Sequence, residues 1–192
     1  MRSSMQAGRS LPLLVALLSG CASIPGKTGA EQSENIEALV ERTLADLYQQ
    51  EPATREAIAS SVGYVVMSNT ITKIPVVGVG GGYGVAIETR TGARTYLEMV
   101  RFDVGMGWGA RSIRPVAIFT DPRVFKDMTD GEWEFHAGAE AAAKVGEGGA
   151  AGGAGSGGPG DKGYTMHVVT DAGVSATATA GLIHIKTVTL KK

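Results

Sequence analysis

Alternation between bulky apolar and small residues dominates the middle of the chain. Over 77–87 the odd positions are mostly bulky and apolar, whereas the even positions are Gly78, Gly80, Gly82, Gly84 and Ala86. The alternation returns in the other register over 100–111, after a turn at Thr91-Gly92. Because successive side chains of a strand point to opposite faces, this pattern predicts an antiparallel hairpin. We expect one bulky face and one nearly bare face, with the glycine strips 78–84 and 105–109 side by side.

The bare face allows two interpretations. Glycine is a poor strand former, so a row of glycines indicates a close approach to the sheet or a sharp bend. A packed helix or a tightly coiled barrel wall is favoured; the alternative is a shallow ligand surface. Arg101 and Asp103 share one strand face and could bracket a polar ligand, although such a pair is more often solvated. The ligand hypothesis expects contacts from Gly80, Gly82, Tyr83, Arg101, Trp108 and Arg111.

Helices are predicted before the alternating region and once after it. Ser33 is expected to be the N-cap of a helix whose apolar stripe has helical spacing and is best explained by core packing. Pro52 suits the first position of a second helix, which extends to about Ser60. Asp121 as N-cap followed by Pro122 predicts a third, short helix. The buried face of this third helix should contain Val124, Phe125 and Met128.

Further strands complete a mainly antiparallel sheet. Segment 133–145 is ambiguous, because its alanines favour a helix while its aromatic and small residues alternate as in a strand. Segment 146–163 contains ten glycines and predicts a flexible loop between strands. The predicted fold class is α+β, with a strongly coiled sheet or partly closed barrel, N-terminal helices and one short helix near 121–129. The other predicted strands are 62–68, 113–120, 164–170, 174–180 and 182–190.

The first twenty residues have the pattern of a cleaved signal peptide. Two arginines precede an apolar run, residues 11–18, that is too short to span a bilayer. The run ends in Leu-Ser-Gly-Cys21, which is similar to the bacterial lipobox, whose cysteine is diacylated and becomes the mature N-terminus. Cys21 is the one cysteine of the chain, so an incidental cysteine is the disfavoured alternative. Ala22 in place of aspartate indicates, by analogy with lipoprotein sorting, the outer membrane facing the periplasm.

These features divide the chain into a signal peptide (1–20), a flexible tether (21–32) and a single domain (33–192). Loss of the leader lowers the count of basic side chains from 18 to 16 against 19 acidic ones, a net charge of about −3. This balance does not favour binding to nucleic acid, which requires a basic face, and it argues against electrostatic binding of a polybasic segment to anionic lipid headgroups. Membrane attachment is therefore assigned to acyl chains at Cys21.

No arrangement of residues typical of catalysis or of a cofactor is found. The three histidines lack metal-ligand spacing, and neither a nucleophile elbow nor a complete dinucleotide fingerprint occurs. We therefore expect no metal, no cofactor and no enzyme activity. Glu134, His136 and Glu140 would converge if 133–145 were helical, which is the basis of a minor hydrolase hypothesis; a half-exposed strand edge is favoured.

The glycine-rich run 77–85 resembles the corresponding strand of the SYLF domain. Segments 102–110 and 116–120 are similar to the next two family segments in the same order, and the resemblance extends from about Ala57 to Lys186. It implies a strand over 133–145. It also implies a non-enzymatic, membrane-binding role, since eukaryotic SYLF domains are implicated in phosphoinositide and membrane binding and, in yeast, actin bundling. Family members often have glutamine where this chain has Gly107 and Arg111.

Two functional hypotheses follow. The first is a lipoprotein whose domain binds a phospholipid or another envelope lipid without catalysis. The second is a structural or assembly module of the cell envelope that holds a protein partner through the glycine face or the glycine-rich loop.

Overall fold

Three helices and six strands are present in the computed structural model, which describes residues 23–144, 151–153 and 163–192. For 107, 111, 132–144, 151–153 and 172–181 it describes the backbone alone. The helices are α1 (Gly29–Gln50), α2 (Thr54–Ser60) and α3 (Pro122–Thr129). The strands are β1 (Gly63–Lys73), β2 (Val77–Glu88), β3 (Arg94–Phe119), β4 (Glu132–Lys144), β5 (Ala151–Gly153) and β6 (Tyr164–Val188).

All six strands belong to one antiparallel sheet in the order β1-β2-β3-β6-β4-β5. β1 pairs with β2 on one side and with the second half of β3 on the other. This double pairing makes the sheet coil strongly on itself without closing into a barrel. The predicted α+β class with a coiled antiparallel sheet is confirmed, as are the hairpin around Thr91-Gly92 and the strand over 133–145.

Two strands are longer than the sequence pattern predicted. β3 has 26 residues and β6 has 25, whereas breaks were expected near 112 and at 171–173. In place of the expected turn, Ile113 pairs with Thr170 and Ser112 with Ala172, so Asp171 is one extra residue in β6. Such a bulge bends a strand without ending it. β1 is also longer than expected, because it continues to Lys73, beyond the end of the predicted strand 62–68.

The two glycine strips do not lie side by side, so that prediction is wrong. Strip 78–84 pairs with 97–103 of β3, whereas strip 105–109 pairs with 175–179 of β6. The reason is that the β2–β3 ladder ends where Val77 meets Val104, one residue before the second strip begins.

The glycine side of β2 lies on the inner face of the coil. A Cβ on Gly82 would overlap the carbonyl oxygen of Ser68, and a Cβ on Gly84 that of Val66. No side chain fits at either position because the backbone of β1, the strand paired with β2 there, lies too close. The favoured interpretations of these glycines were a packed helix or a tightly coiled barrel wall; the close backbone of β1 fits tight coiling of the sheet, which does not close into a barrel, and it fills the space beside Gly82 and Gly84.

Two apolar cores lie on opposite faces of the sheet. On the outer face, the α1 stripe that contains Ile36 and Leu47 packs on Val66, Val85 and Val116. The inner core contains Met67, Leu97, Met99 and Phe119, and α3 closes it with Phe125 and Met128. The predicted start of α3 is confirmed, because Asp121 accepts a hydrogen bond of 2.8 Å from the Arg123 amide.

The N-terminal boundary of the domain needs correction. α1 begins at Gly29, and its N-cap is Thr28, whose Oγ1 accepts from the Glu31 amide at 3.2 Å, not Ser33. Ile24 is buried in the outer core, and the side-chain amide of Gln32 donates a hydrogen bond to the backbone carbonyl oxygen of Ile24. The tether predicted over 21–32 is therefore wrong from Ile24 onward, since these residues pack on the domain. Cys21, Ala22 and the leader 1–20 lie outside the described residues.

Other predictions near the ends of elements have mixed outcomes. α2 begins at Thr54, later than the expected Pro52. Within the segment 146–163, predicted as a flexible loop, residues 151–153 form β5 against β4, and 146–150 and 154–162 lie outside the described residues. Among the described helices, none has the length and apolar character needed to cross a bilayer.

Candidate functional site

A contiguous apolar surface remains exposed on the outer face of the sheet. Met106 is 72% exposed, and Trp108 is 64% exposed. Single exposed apolar side chains are common, but a contiguous group marks an interaction surface. We call this surface the apolar patch, and its residues are Val77, Val79, Phe102, Val104, Met106, Trp108 and Leu182.

Strand pairing makes the apolar patch continuous. Directly opposite residues of antiparallel strands point to the same face, about 5 Å apart. Phe102 stands between Val79 of β2 and Leu182 of β6, and Val104 stands opposite Val77. Along β3 the patch continues to Trp108, over about 20 Å at the rise of an extended strand.

The patch is bare because α1 covers one half of the outer face only. The core that α1 forms with the sheet contains no patch residue. Along β3 the polar residues Arg101 and Asp103 occupy inner-face positions, whereas the outer-face positions 102, 104, 106 and 108 carry apolar side chains. On β1, the exposed Thr70 and Thr72 border the patch, with Thr72 directly opposite Val79. An apolar surface with a polar border is typical of a docking site.

Beneath the patch, on the inner face, lies a buried ion pair. Arg101 and Asp103 are each about 2% exposed, and the Arg101 Nε donates to the Asp103 Oδ1 at 2.8 Å. Lys73 is buried close by, across Gly78 of β2. The expectation that Arg101 and Asp103 form a solvated pair is wrong, because the coiled sheet encloses the face that they share.

The sequence-predicted ligand contacts do not form one site. Gly80 and Gly82 line the closely packed inner face together with Arg101. Tyr83 packs partly buried at the edge of the outer core. Trp108 alone belongs to the apolar patch, and Arg111 has a side chain outside the described part. The other patch residues were missed because alternation separates two faces without telling which one the fold buries.

Within the described part of the chain, no group of three His, Cys, Asp or Glu residues could hold a metal ion. His167 pairs with Glu51 at 2.8 Å, on the surface. The helical convergence of Glu134, His136 and Glu140 is wrong, because β4 is a strand through these positions.

Comparison with known proteins gives a distant similarity. No family model matches the chain. A protein of Aeromonas veronii named Beta cell expansion factor A is 25% identical over 108 residues, which is 56% of this chain and 41% of that protein. The chain thus matches less than half the length of this relative.

Proposed function

We propose that this chain is a lipid-anchored lipoprotein of the outer membrane, facing the periplasm, whose SYLF-like domain binds lipid without catalysis. The observation that carries the proposal is the apolar patch, which presents seven apolar side chains on three neighbouring strands. The occupant that we assign to the patch is the surface of a phospholipid bilayer.

The chemistry of the patch favours a bilayer. Trp108 and Phe102 are aromatic residues, which are frequent at the boundary between lipid headgroups and acyl chains. No patch residue is charged, and the mature chain carries a net negative charge. Binding should therefore depend on apolar insertion and be nearly insensitive to anionic lipid and to salt.

The predicted anchor supports the same occupant. Two residues lie between Cys21 and the buried Ile24, so three Cα–Cα steps span at most about 10 Å of extended chain. Acyl chains on Cys21 would then hold the domain close to the bilayer. This proximity raises the effective concentration of lipid at the patch, so even weak insertion is productive.

Vesicle flotation of the mature chain, residues 21–192, with Cys21→Ser tests the patch without the apolar leader and without the acyl chains. We expect this protein to float with phosphatidylcholine vesicles, and equally with vesicles that contain phosphatidylglycerol. Adding Met106→Glu should lower the bound fraction at least about tenfold, because a charge replaces a side chain whose burial contributes about 1.5–3 kcal/mol.

Met166→Glu is the matched control, because it places the same change on an exposed methionine of the inner face. It should leave flotation unchanged. Equal loss in both variants, or no flotation above an unrelated protein, would contradict the proposal. If Met106→Glu abolished self-association or crosslinking to an envelope protein instead, the patch would belong to the alternative function, an assembly module.

A further inference from the structure

A second candidate site lies inside the coil, on the face opposite the apolar patch. It is a cavity of about 100 Å³ within the inner core, whose side chains form its walls. Met166 and Val168 of β6 line it and are 45% and 40% exposed, so the cavity reaches solvent beside that strand. Its walls are mostly hydrocarbon, from residues that include Met67, Met99, Ile113, Phe119, Ile183 and Ile185.

The cavity contains one polar atom that the protein does not satisfy. Asn69 lines the cavity and is 1% exposed, and no donor among the described residues reaches its Oδ1. A buried acceptor without a partner costs about 1–3 kcal/mol. Arg101 lines the same cavity but is held by Asp103. The orphan acceptor therefore points to a ligand that brings its own hydrogen-bond donor.

Methionines make the walls adaptable. Four of the seven methionines of the chain, Met67, Met99, Met128 and Met166, line this cavity. Methionine is unbranched and polarisable, so it adjusts to ligands of irregular shape and is frequent at apolar binding surfaces. A cavity built for rigid packing would instead favour branched side chains with defined rotamers.

We propose that this cavity binds a small, mainly hydrocarbon molecule with one hydroxyl group, which donates its hydrogen bond to the Asn69 Oδ1. Since a dry apolar cavity of about 150 Å³ accommodates the six carbon atoms of benzene, a volume of about 100 Å³ suits about four non-hydrogen atoms, and a longer chain would extend into the opening beside β6. The site is independent of the membrane function proposed above, because the apolar patch lies on the other face of the sheet.

Methionine-methyl NMR of the full chain with Cys21→Ser tests this proposal. The probes are 1-pentanol and its isomer butyl methyl ether, which has the same atoms but no hydrogen-bond donor. We expect 1-pentanol to shift the methyl signals of Met67, Met99, Met128 and Met166 in a saturable manner. The exposed Met106 on the outer face is an internal control and should not respond. The ether should bind about threefold to tenfold more weakly.

Two variants separate the ligand from the fold. Asn69→Leu keeps the side-chain size and removes the acceptor, so it should bind both probes equally. Ala117→Leu extends a cavity-lining side chain into the space and should abolish the saturable shifts. In both variants the Met106 signal and the urea midpoint report whether the protein is folded.

Three outcomes would overturn the proposal. The first is the absence of any saturable shift in the parent protein, which would show that the cavity does not bind 1-pentanol. The second is an equal response of Met106, which would indicate unspecific partitioning. The third is an alcohol preference that persists in Asn69→Leu. None of these outcomes affects vesicle flotation, so failure of this site and failure of the patch are distinguishable.

Discussion

Close contacts with the backbone of β1 explain why Gly82 and Gly84 of β2 must be glycine. At Gly82 the carbonyl oxygen of Ser68 occupies the place of a Cβ, and the Met99 methyl lies 3.0 Å from it. Backbone cannot move aside as a flexible side chain can. The glycines of β2 are thus a condition for coiling of the sheet, because they let the backbone of the paired strand β1 approach the inner face of β2 closely.

Gly82→Ala should therefore lower the free energy of unfolding by about 2 kcal/mol or more, as overpacked sites do. Gly131→Ala is the control, because a Cβ there would meet no atom within 4 Å and the residue has no positive φ. That change should be neutral or stabilise by up to about 1 kcal/mol, since alanine restricts the unfolded chain. Urea unfolding measures both, and equal destabilisation would contradict the close approach of β1.

The sequence predicts which residues share a face but not which face is buried. Val77 and Val79 alternate with glycines as a core-facing strand would, and yet they lie exposed. Arg101 and Asp103 show the converse, because their charges suggested solvent and they are enclosed. Burial here depends on pairing of β1 with both neighbouring strands, at sequence separations of up to 56 residues (Gly63 with Phe119), which no local pattern encodes.

At the scale of elements, two arginines of β3 connect α1 to the sheet. Arg114 is buried: its Nη2 lies 2.6 Å from Asp46, its Nη1 donates to Thr43, and its Nε donates to Asp171 at 2.7 Å. Burial by itself lowers the pKa of Arg114. The hydrogen bonds to the carboxylates of Asp171 and Asp46, with their negative charges, raise the pKa by more than burial lowers it, so the net shift is upward. Near the other end of α1, Arg94 pairs with Glu37 at 2.6 Å, with both side chains substantially exposed.

These two contacts should differ in strength. Arg114→Met should destabilise the protein by about 1–3 kcal/mol, because it breaks charged hydrogen bonds at a buried site. Arg94→Met removes an exposed pair, so its cost should be about 0–1 kcal/mol. Hydrogen exchange of the α1 amides, together with urea unfolding, compares the variants. If the α1 amides exchanged as slowly in Arg114→Met as in the parent protein, the apolar stripe alone would hold the helix on the sheet.

Elements with local signals were predictable and those set by tertiary packing were not. Asp121-Pro122 gave the start of α3, because an N-cap and a proline act within one turn. The start of α1 was misplaced, because Thr28 and Ser33 are both acceptable caps and burial of Ile24 decides between them. The long β6 was divided because Asp171-Ala172-Gly173 has turn composition, whereas pairing with β3 turns it into a bulge.

At the scale of the whole molecule, two tyrosines connect stability to alkaline pH. Burial is the main cause that raises the pKa of Tyr64, with additional effects of Tyr48 and Glu37 that exceed the opposing effect of Arg94. Burial also raises the pKa of Tyr164, whose ring packs against Phe119 at 5.4 Å between centroids. Tyr64 lies beside the outer core and Tyr164 beside the inner core, so each core carries one such group.

The sign of the effect follows from proton counts. Above the ordinary tyrosine pKa of about 10, the unfolded chain releases protons that the folded chain keeps, so the free energy of unfolding falls as pH rises. Below that pH the contribution is fully present. We expect urea midpoints to decline from about pH 9.5 upward, through the raised pKa values of the folded state. Tyr164→Phe retains the ring packing and removes one titrating group, so its decline should be shallower than that of the parent. Lysines titrate equally in both proteins, so their contribution cancels in the comparison. If the urea midpoints of the two proteins declined in parallel, burial of Tyr164 would not penalise its ionised form.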